Sequence, residues 1–566
     1  MTSPHSIHRR TVLATGSAGA ALTTVAASSQ GADAATEASR RYFQHGVASG
    51  DPLPNAVLIW TRVSPTPASR PGSGKGPKVE VEWEVATDRR FRRIVRRGTF
   101  ATSASRDHTV KLDVTGLKPA TWYHYRFTYR GTRSRVGRMR TAPAVGSSPR
   151  FLRFGVVSCA NWQAGYFAGY RGIAERDDLH AVVHLGDYIY EYPVGGYAFG
   201  PTDIPIRKHD PPHEMVSLED YRRRFAQYKT DPDLQDAHAK YPWIITWDDH
   251  EVTNDQWKNG AENHQPGQEG NYRRRRARAH RAFDEWMPVR LDGTARLGDG
   301  SRLYRRLTFG TLAELSMLDL RTYRSKQVET VLPFPVPTTE AAVSDPDLTI
   351  TGATQMRWLK QSLSSDQSLW KVIGNPVMIM PLAINALPDQ LVAPVNAALG
   401  LLPDDGFPIN VDQWDGYTHD RREVFRHIKD NQVQNALFIT GDIHSGWAGD
   451  LPYDAATYPL SGSAGVEFVC TSVTSNNLKD EEVAPAISPT NAAIQTAILA
   501  NNRHMRYLNF NDHGFSVLDL TAKRAQMDWF ITGDRRDKNA PIHYSTSYAT
   551  RVGTNTVRQV NGPVDR

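Results

Sequence analysis

The chain has 566 residues, of which 40% are hydrophobic and 22% are charged, and its formal net charge is +7. These values exclude a disordered chain and a small disulfide scaffold, and the length allows more than one domain. The basic residues form no dominant block along the chain. The charge therefore gives no reason to expect a nucleic-acid partner.

Residues 1–34 have the pattern of an export signal. Arg9 and Arg10 precede a weakly apolar run that is too short for a membrane span, and small residues around Asp33 offer a cleavage site. Paired arginines in this position are typical of the bacterial twin-arginine pathway, which exports proteins that have already folded. We therefore expect the twin-arginine export machinery as a partner and a secreted, extracellular mature protein.

Residues 41–142 alternate short strands with turn residues, which predicts a small β-sandwich domain. Within it, residues 117–127 resemble the corner of fibronectin type III-like domains, because a proline-led turn feeds a strand with Tyr123 and Tyr125 at alternate positions. No catalytic residue types cluster here. The domain is therefore expected to flank a site in the remainder of the chain.

Residues 150–540 alternate buried strands with helices, which is the pattern of an α/β domain. The predicted strands are 152–157, 181–186, 243–247, 312–318, 370–374, 435–440, 465–471, 515–520 and 525–531. The predicted helices are 217–228, 271–287, 354–364 and 420–429, with Ser217 as the N-cap of the first and Asp220 completing its cap. Residues 541–566 are polar and are expected to form an extended C-terminal tail.

Metal-competent residues follow two of these strands directly. Cys159 follows the first strand, and Asp187 and Tyr190 follow the second. Functional groups gather where the strands of an open α/β sheet end, because loops there face solvent from a rigid scaffold. A thiolate, a carboxylate and a phenolate at one sheet edge would suit a hard, oxidised metal ion such as Fe³⁺.

Three later strand ends repeat this arrangement. Their polar residues are Asp248, Asp249, His250, Glu251 and Asn254 after the third strand, Asn375 after the fifth, and Asp442 and His444 after the sixth. Acids next to a buried strand are costly unless a cation or tight hydrogen bonds offset the charge. Each loop alone could be an ordinary turn, but the recurrence of such loops at successive strand ends favours a shared site.

The two cysteines leave one alternative open. Cys159 and Cys470 are the only cysteines, and an exported protein could join them in a disulfide instead of using Cys159 as a metal ligand. The cysteine count does not decide between these two roles.

Short motifs in this part of the chain resemble a known superfamily. GD-x-x-Y, DDHE, GN and GD-x-H, in that order, resemble the signature blocks of the calcineurin-like metallophosphatases. SCAN, where most of that superfamily has Asp-x-His, resembles the PhoD-type alkaline phosphatases and phosphodiesterases, as do residues 43–63 and 318–326. The resemblance implies a two-sheet αββα metallophosphatase domain behind the sandwich, with one Fe³⁺ and one or two Ca²⁺.

The resemblance also assigns roles to individual residues. The iron ligands it implies are Cys159, Asp187, Tyr190 and His444. The calcium ligands it implies, besides a bridging Asp187, are Asp249, Asn375 and Asp442, with Asp248 as an alternative to Asp249. His250 stands at the catalytic position, and Asn161 and Asn254 are candidates for substrate binding. Asp249 and Asp442 replace the superfamily's usual Asn and His, and this change to carboxylates favours a hard ion such as Ca²⁺.

The residues and the resemblance together predict a secreted phosphate-ester hydrolase that acts on phosphomonoesters, phosphodiesters or both. Two adjacent cations would hold the phosphoryl group and supply a metal-activated hydroxide. One alternative is a phospholipase D-like phosphodiesterase that acts on phospholipids. An alternative of another class is an exported surface-binding protein whose metals are structural.

Overall fold

The computed structural model describes residues 41–291, 302–331, 336–337, 340–384, 407–480 and 491–564. The predicted export signal, residues 1–34, lies outside the described residues. Within the described ranges, no helix combines the length and the apolar character that a membrane crossing requires.

Two large mixed sheets form the centre of the molecule, and their strands are numbered in chain order. The ten-stranded sheet contains, from edge to edge, β26 (Val557–Gln559), β25 (Ile542–Arg551), β24 (Arg524–Thr532), β23 (Gly514–Thr521), β9 (Phe151–Val157), β10 (Ala181–His184), β11 (Pro242–Ile245), β1 (Val47–Leu53), β2 (Ala56–Arg62) and β5 (Thr109–Thr115). The seven-stranded sheet contains β12 (Arg305–Phe309), β13 (Ala313–Met317), β16 (Trp370–Asn375), β19 (Ala436–Thr440), β21 (Ser463–Val469), β20 (Gly446–Pro452) and β22 (Met505–Asn509).

The described residues also form smaller sheets, eight α-helices and three short 3-10 helices, the last at Ala104–Arg106, Glu340–Ser344 and Trp414–Gly416. A five-stranded sheet contains β4 (Ile94–Thr102), β3 (Val79–Ala86), β6 (Trp122–Tyr129), β7 (Thr132–Arg133) and β8 (Gly137–Arg140). Two-stranded pairs are β14 (Thr330–Val331) with β15 (Val336–Pro337), and β17 (Ala383–Ile384) with β18 (Phe407–Pro408). The helices are α1 (Ala168–Glu175), α2 (Leu218–Tyr228), α3 (Pro232–Lys240), α4 (Pro266–Glu269), α5 (Tyr272–Trp286), α6 (Ala353–Leu363), α7 (Thr418–Asp430) and α8 (Asn491–Asn501).

The hydrophobic core lies between the two large sheets. Val156 of β9 and Val183 of β10 share one buried cluster with Leu315, Val372 and Ile439 from the seven-stranded sheet. Central parallel strands are buried on both faces, which explains why β9, β10 and β11 are almost continuously apolar. The chain therefore has a mixed α/β fold with several sheets, as its pattern of strands and helices predicts.

Helices cover the other face of each large sheet. Phe225 of α2 and Trp243 of β11 belong to one cluster. Leu359 of α6, Val424 of α7 and Phe438 of β19 belong to another. The strand ends that carry the predicted ligands are therefore held in a framework that is packed on both sides.

The N-terminal strands are not separate from the central sheet. β1 pairs in parallel with β11, with Gly50 opposite Trp243. Ile59 of β2 packs with Val81 and Phe127 of the five-stranded sheet in a further buried cluster. One layer of the predicted sandwich is thus an extension of the ten-stranded sheet.

The segment expected to form an extended C-terminal tail is part of the ten-stranded sheet. β25 pairs antiparallel with β24, and β26 pairs with β25. Tyr548 and Ala549 of β25 are buried. The residues of the predicted extended tail therefore form two paired strands at one edge of that sheet.

Candidate metal centre

The four predicted iron ligands converge at the carboxyl ends of β9, β10 and β19. Cys159, Asp187 and His444 offer ligand atoms that all lie within 4.8 Å of one another. The Tyr190 hydroxyl lies 3.1 Å from Asp187 Oδ2 and 3.3 Å from His444 Nε2. One thiol, one carboxyl, one phenol and one imidazole therefore surround a common point.

The backbone reaches this arrangement in an unusual conformation. Cys159, Asp187, Asp442 and His444 have φ values of 58°, 56°, 63° and 53°. Such left-handed conformations cost about 1 to 3 kcal/mol each for residues with a side chain, and they cluster at functional sites. Gly186 before Asp187 has φ 110°, and a Cβ atom there would lie 2.5 Å from the Cβ of Asp248. The glycine of the GD motif thus lets two ligand-bearing loops approach closely.

A second group of carboxylates adjoins the first and shares Asp187 with it. Asp187, Asp249 and His250 form one set of ligand atoms within 4.8 Å of each other, and Asp187, Asp248 and Asp442 form another. Oδ1 of Asp187 and Oδ1 of Asp249 are buried and have no hydrogen-bond partner among the described residues. Buried carboxylate oxygens without donors are costly, so this donor set fits a cation.

The electrostatics of these acidic groups also indicate a site for a cation. Burial, followed by the effects of nearby carboxylates, raises the pKa of Asp187 well above its usual value. The pKa of Asp442 is raised for the same reasons. Burial and the neighbouring Asp187 and Asp442 raise the pKa of the Cys159 thiol, and burial with Asp187 raises that of Tyr190. Bound cations would reverse this balance and favour the ionised forms.

Comparison with known proteins decides the family. A family model described as PhoD-like phosphatase matches residues 154–529, and a model described as its N-terminal domain matches residues 26–143. The chain belongs to the PhoD-like phosphatase family. Alkaline phosphatase D of Bacillus subtilis (strain 168) is 34% identical over 548 residues, which cover 96% of this chain and 87% of that protein. A solved structure described as "Structure of PhoD" matches with a TM-score of 0.80 at 33% identity and covers 93% of each chain.

As a PhoD-like phosphatase, the chain is a phosphoric ester hydrolase, and its candidate centre is open to solvent on one side. Asp442 and His444 are only half-buried, whereas Cys159, Asp187 and Tyr190 are buried.

His444 presents one defined nitrogen to this centre. Its Nδ1 lies 2.6 Å from the carbonyl oxygen of Asn476. Because a carbonyl only accepts hydrogen bonds, Nδ1 carries the proton, and the lone pair of Nε2 faces Tyr190 and Asp187.

His250 of this PhoD-like phosphatase is held by Glu191, a residue that sequence reasoning missed. Nδ1 of His250 lies 2.8 Å from Glu191 Oε2, and Glu191 is fully buried. Burial alone would lower the pKa of His250, but the carboxylates of Asp249, Glu191 and Asp187 outweigh it and raise the pKa well above its usual value. The imidazole is therefore oriented by Glu191 next to the Asp187–Asp249 group. No sequence motif indicated Glu191, although it directly follows Tyr190.

Arg321 was also missed as a site residue, although it lies in the segment 318–326 on which the family resemblance partly rests. Its guanidinium donates to Asp248 Oδ2 at 2.8 Å and to Asp412 at 2.9 Å, and it lies 3.3 Å from Asp442. Asp249 Oδ1 has no hydrogen-bond partner among the described residues and lies 3.8 Å from the same guanidinium. Asp248 and Asp249 both belong to candidate ligand groups, and the choice between them as a metal ligand stays a prediction.

Asp412 was missed as well, because it stands in no recognisable motif. Burial alone would raise its pKa, but Arg321 and Arg324 hold it well below the usual value. Arg324 Nη1 lies 2.8 Å from Asp412. Two buried arginines thus balance part of the negative charge beside the candidate centre.

Three predicted residues have their side-chain amides engaged by other protein groups. Asn375 accepts from Trp414 Nε1 at 3.1 Å, and its amide nitrogen donates to Thr440 at 3.2 Å. Asn161 donates to the carbonyl of Tyr197, and Asn254 donates to Glu262. The metal-binding role of Asn375 and the substrate-binding roles of Asn161 and Asn254 remain predictions.

The disulfide alternative is wrong. Cys159 and Cys470 are both free and buried. Cys470 lies beside Ser158, with 3.4 Å between the sulfur and the hydroxyl oxygen. Cys159 is therefore available as a thiolate ligand.

Proposed function

We propose that this PhoD-like phosphatase is an alkaline phosphatase that hydrolyses phosphomonoesters, phosphodiesters or both, with one Fe³⁺ and one or two Ca²⁺ at the candidate centre. The observation that carries the proposal is the position of Asp187, which belongs to both the Cys159–His444 group and the carboxylate group. A carboxylate shared in this way suits a bridge between two cations.

The donor chemistry supports a division of the centre. Cys159, Tyr190 and His444 would hold Fe³⁺, because thiolate, phenolate and imidazole suit a transition metal. Asp249 and Asp442 would hold Ca²⁺, which prefers oxygen ligands, with Asn375 as a further candidate. Bound cations would neutralise the phosphoryl oxygens and lower the pKa of an attacking water molecule.

The protein's own groups would act on the other side of the phosphorus atom. His250 is held at Nδ1 by Glu191, whose carboxylate favours the protonated imidazole, and the Nε2–H of that form would donate to the oxygen of the departing alcohol. In the proposed reaction, a water molecule that has released one proton to solvent forms the new bond to phosphorus as hydroxide, the ester bond breaks, and His250 protonates the leaving oxygen. No side-chain nucleophile is needed.

The proposal also covers architecture and location. We assign the two large sheets and their covering helices to a two-sheet αββα metallophosphatase core, and the N-terminal strands to a fibronectin III-like sandwich that shares one sheet with it.

The twin arginines support export to the outside of the cell by the twin-arginine pathway. Exchange of Arg9 and Arg10 for lysine is expected to keep the protein inside the cell, as measured by fractionation.

Metal analysis of the exported protein tests the proposed centre. We expect iron and calcium in the purified enzyme and a visible charge-transfer band from the Tyr190 phenolate. Tyr190→Phe should bleach this band, and Cys159→Ala should abolish activity. A colourless, iron-free enzyme with full activity would refute the iron assignment.

Parallel assays test the substrate class. A chromogenic phosphomonoester, a chromogenic phosphodiester and phosphatidylcholine should be compared under the same conditions. The proposal expects turnover of at least one of the two chromogenic esters. Turnover of phosphatidylcholine alone would favour the phospholipase D-like alternative. A metal spectrum that phosphate and vanadate leave unchanged would favour structural metals.

A further inference from the structure

The segment 472–480, which follows β21, touches the predicted iron ligands although none of its residues is itself a predicted ligand. It reaches across from the seven-stranded sheet, and Ser472 forms an isolated bridge with Ser158 next to Cys159. Its contacts with the candidate ligands involve Cys159, Tyr190 and His444. A single loop thus borders three of the four groups on the iron side.

Ser475 makes the most direct of these contacts. Its hydroxyl donates to the Tyr190 oxygen at 2.6 Å, and the carbonyl of Cys159 lies 3.0 Å from the same hydroxyl. Ser475 and Tyr190 are both 0% exposed, so water cannot replace this donor. The backbone N–H of Ser475 also donates to the Cys159 carbonyl, at 3.2 Å. Ser475 therefore ties two candidate ligands to each other.

Charged residues hold the segment 472–480 in place. Asp480 lies 2.9 Å from Arg535 and 2.8 Å from His513. His513 in turn lies 2.8 Å from the hydroxyl of Ser472, and Arg535 donates to the carbonyl of Thr474. These contacts fix the loop on both sides of Ser475 and so place this residue next to Tyr190.

We propose that Ser475 is a positioning residue of the iron side, whose hydroxyl holds the Tyr190 phenolate and limits the electron density that this oxygen donates to the metal. The inference rests on the proposed function, because it needs iron at Tyr190. Groups beyond the direct ligands orient those ligands and tune the metal. A phenolate that loses its hydrogen-bond donor becomes a stronger electron donor, and its charge-transfer band moves to longer wavelength.

Two variants of nearly equal shape isolate the hydroxyl. Ser475→Thr keeps the donor, and Ser475→Val removes it while adding similar bulk at the same buried position. We expect the Thr variant to keep the wild-type band and iron content. The Val variant is expected to show a band at longer wavelength or a loss of iron. Thr474→Val is the matched control within the loop, because Thr474 is equally buried and its hydroxyl donates to the carbonyl of Asn161 and not to Tyr190. The band of this variant should not move.

The readouts are the visible spectrum, the phenolate C–O stretch in resonance Raman spectra and the iron content of purified full-length protein. If the wild type shows the phenolate band and the Thr and Val variants have the same spectrum and iron content, the proposed role of Ser475 is overturned while the iron assignment stands. A shift in Thr474→Val as large as that in Ser475→Val would also overturn it, because general loop distortion would then be the cause. Wild-type protein without a phenolate band would overturn the iron assignment and this inference together.

Discussion

Glu191 accepts the Nδ1 hydrogen bond of His250 and helps to raise the pKa of that imidazole. Glu191 is therefore the first residue to test. Glu191→Gln keeps an oxygen to accept the Nδ1 proton but removes a negative charge. The raised pKa of His250 should then fall, and the imidazole should lose its proton at lower pH. We expect kcat to decrease by about 10- to 100-fold, with a larger loss at alkaline than at neutral pH. The pH–rate profile of kcat measures both effects.

Thr253→Val is the matched control for this experiment. Thr253 lies 3.2 Å from Glu191 Oε1, so its exchange removes a neighbour of Glu191 but leaves the carboxylate in place. The alkaline side of the pH–rate profile of kcat should then match that of the wild type. A Glu191→Gln enzyme with an unchanged profile would show that His250 does not depend on this carboxylate.

At the scale of elements, Arg321 joins the segment after β13 to the loops after β11 and β19. Arg321→Met would leave Asp248 buried without its arginine partner, whereas Asp412 would keep Arg324. Breaking a buried ion pair in this way costs about 3 to 5 kcal/mol. We expect this decrease in the free energy of unfolding for metal-depleted protein, measured by urea denaturation. Arg536→Met removes an exposed pair with Asp534 and should leave the unfolding curve unchanged.

β25 and β26 are a second element-scale test, because they continue the ten-stranded sheet at one edge. Deletion of residues 541–566 would expose the edge of β24 and the apolar residues that β25 covers. We expect lower soluble yield and a lower melting temperature than for a truncation of residues 565–566 alone. Equal melting temperatures of the two truncations would mean that these strands do not support the sheet.

For the whole molecule, the acidic centre makes cation binding depend on pH. Burial and neighbouring acids raise the pKa of Asp187 and Asp442, and they raise that of Asp255 to about 7. Protons therefore compete with a cation at higher pH than they would at ordinary carboxylates. Chelator-treated enzyme should lose activity and regain it with Ca²⁺, and the apparent affinity for Ca²⁺ should rise between about pH 6 and pH 8.

Measurement of proton release tests whether Ca²⁺ competes with protons for these carboxylates. Addition of Ca²⁺ to metal-depleted protein should release protons near neutral pH and fewer at alkaline pH, where the carboxylates are already ionised. Asp442→Asn should weaken Ca²⁺ binding and reduce the release. An affinity that does not change with pH would contradict the coupled acidic centre.

Local pattern was enough to predict many elements of the fold. The predicted strand 152–157 corresponds to β9, and Ser217 and Asp220 form the expected reciprocal cap of α2, with hydrogen bonds of 3.2 and 2.7 Å. The predicted strand 181–186 ends two residues early in the structure, because Gly186 has a positive φ. Strand periodicity and capping depend on neighbouring residues, so they can be read along the chain.

The sequence by itself determined that Cys159, Asp187, Tyr190 and His444 stand at strand ends, because each follows its apolar strand directly. Only the tertiary structure decided which groups complete the centre. Arg321 and Asp248 are separated by 73 positions, and Ser475 and Tyr190 by 285. The joining of β1 to β11 and of β25 to β24 depends equally on distant pairing. Such contacts leave no local periodicity in the chain, because they arise only when separate strands pack into one framework.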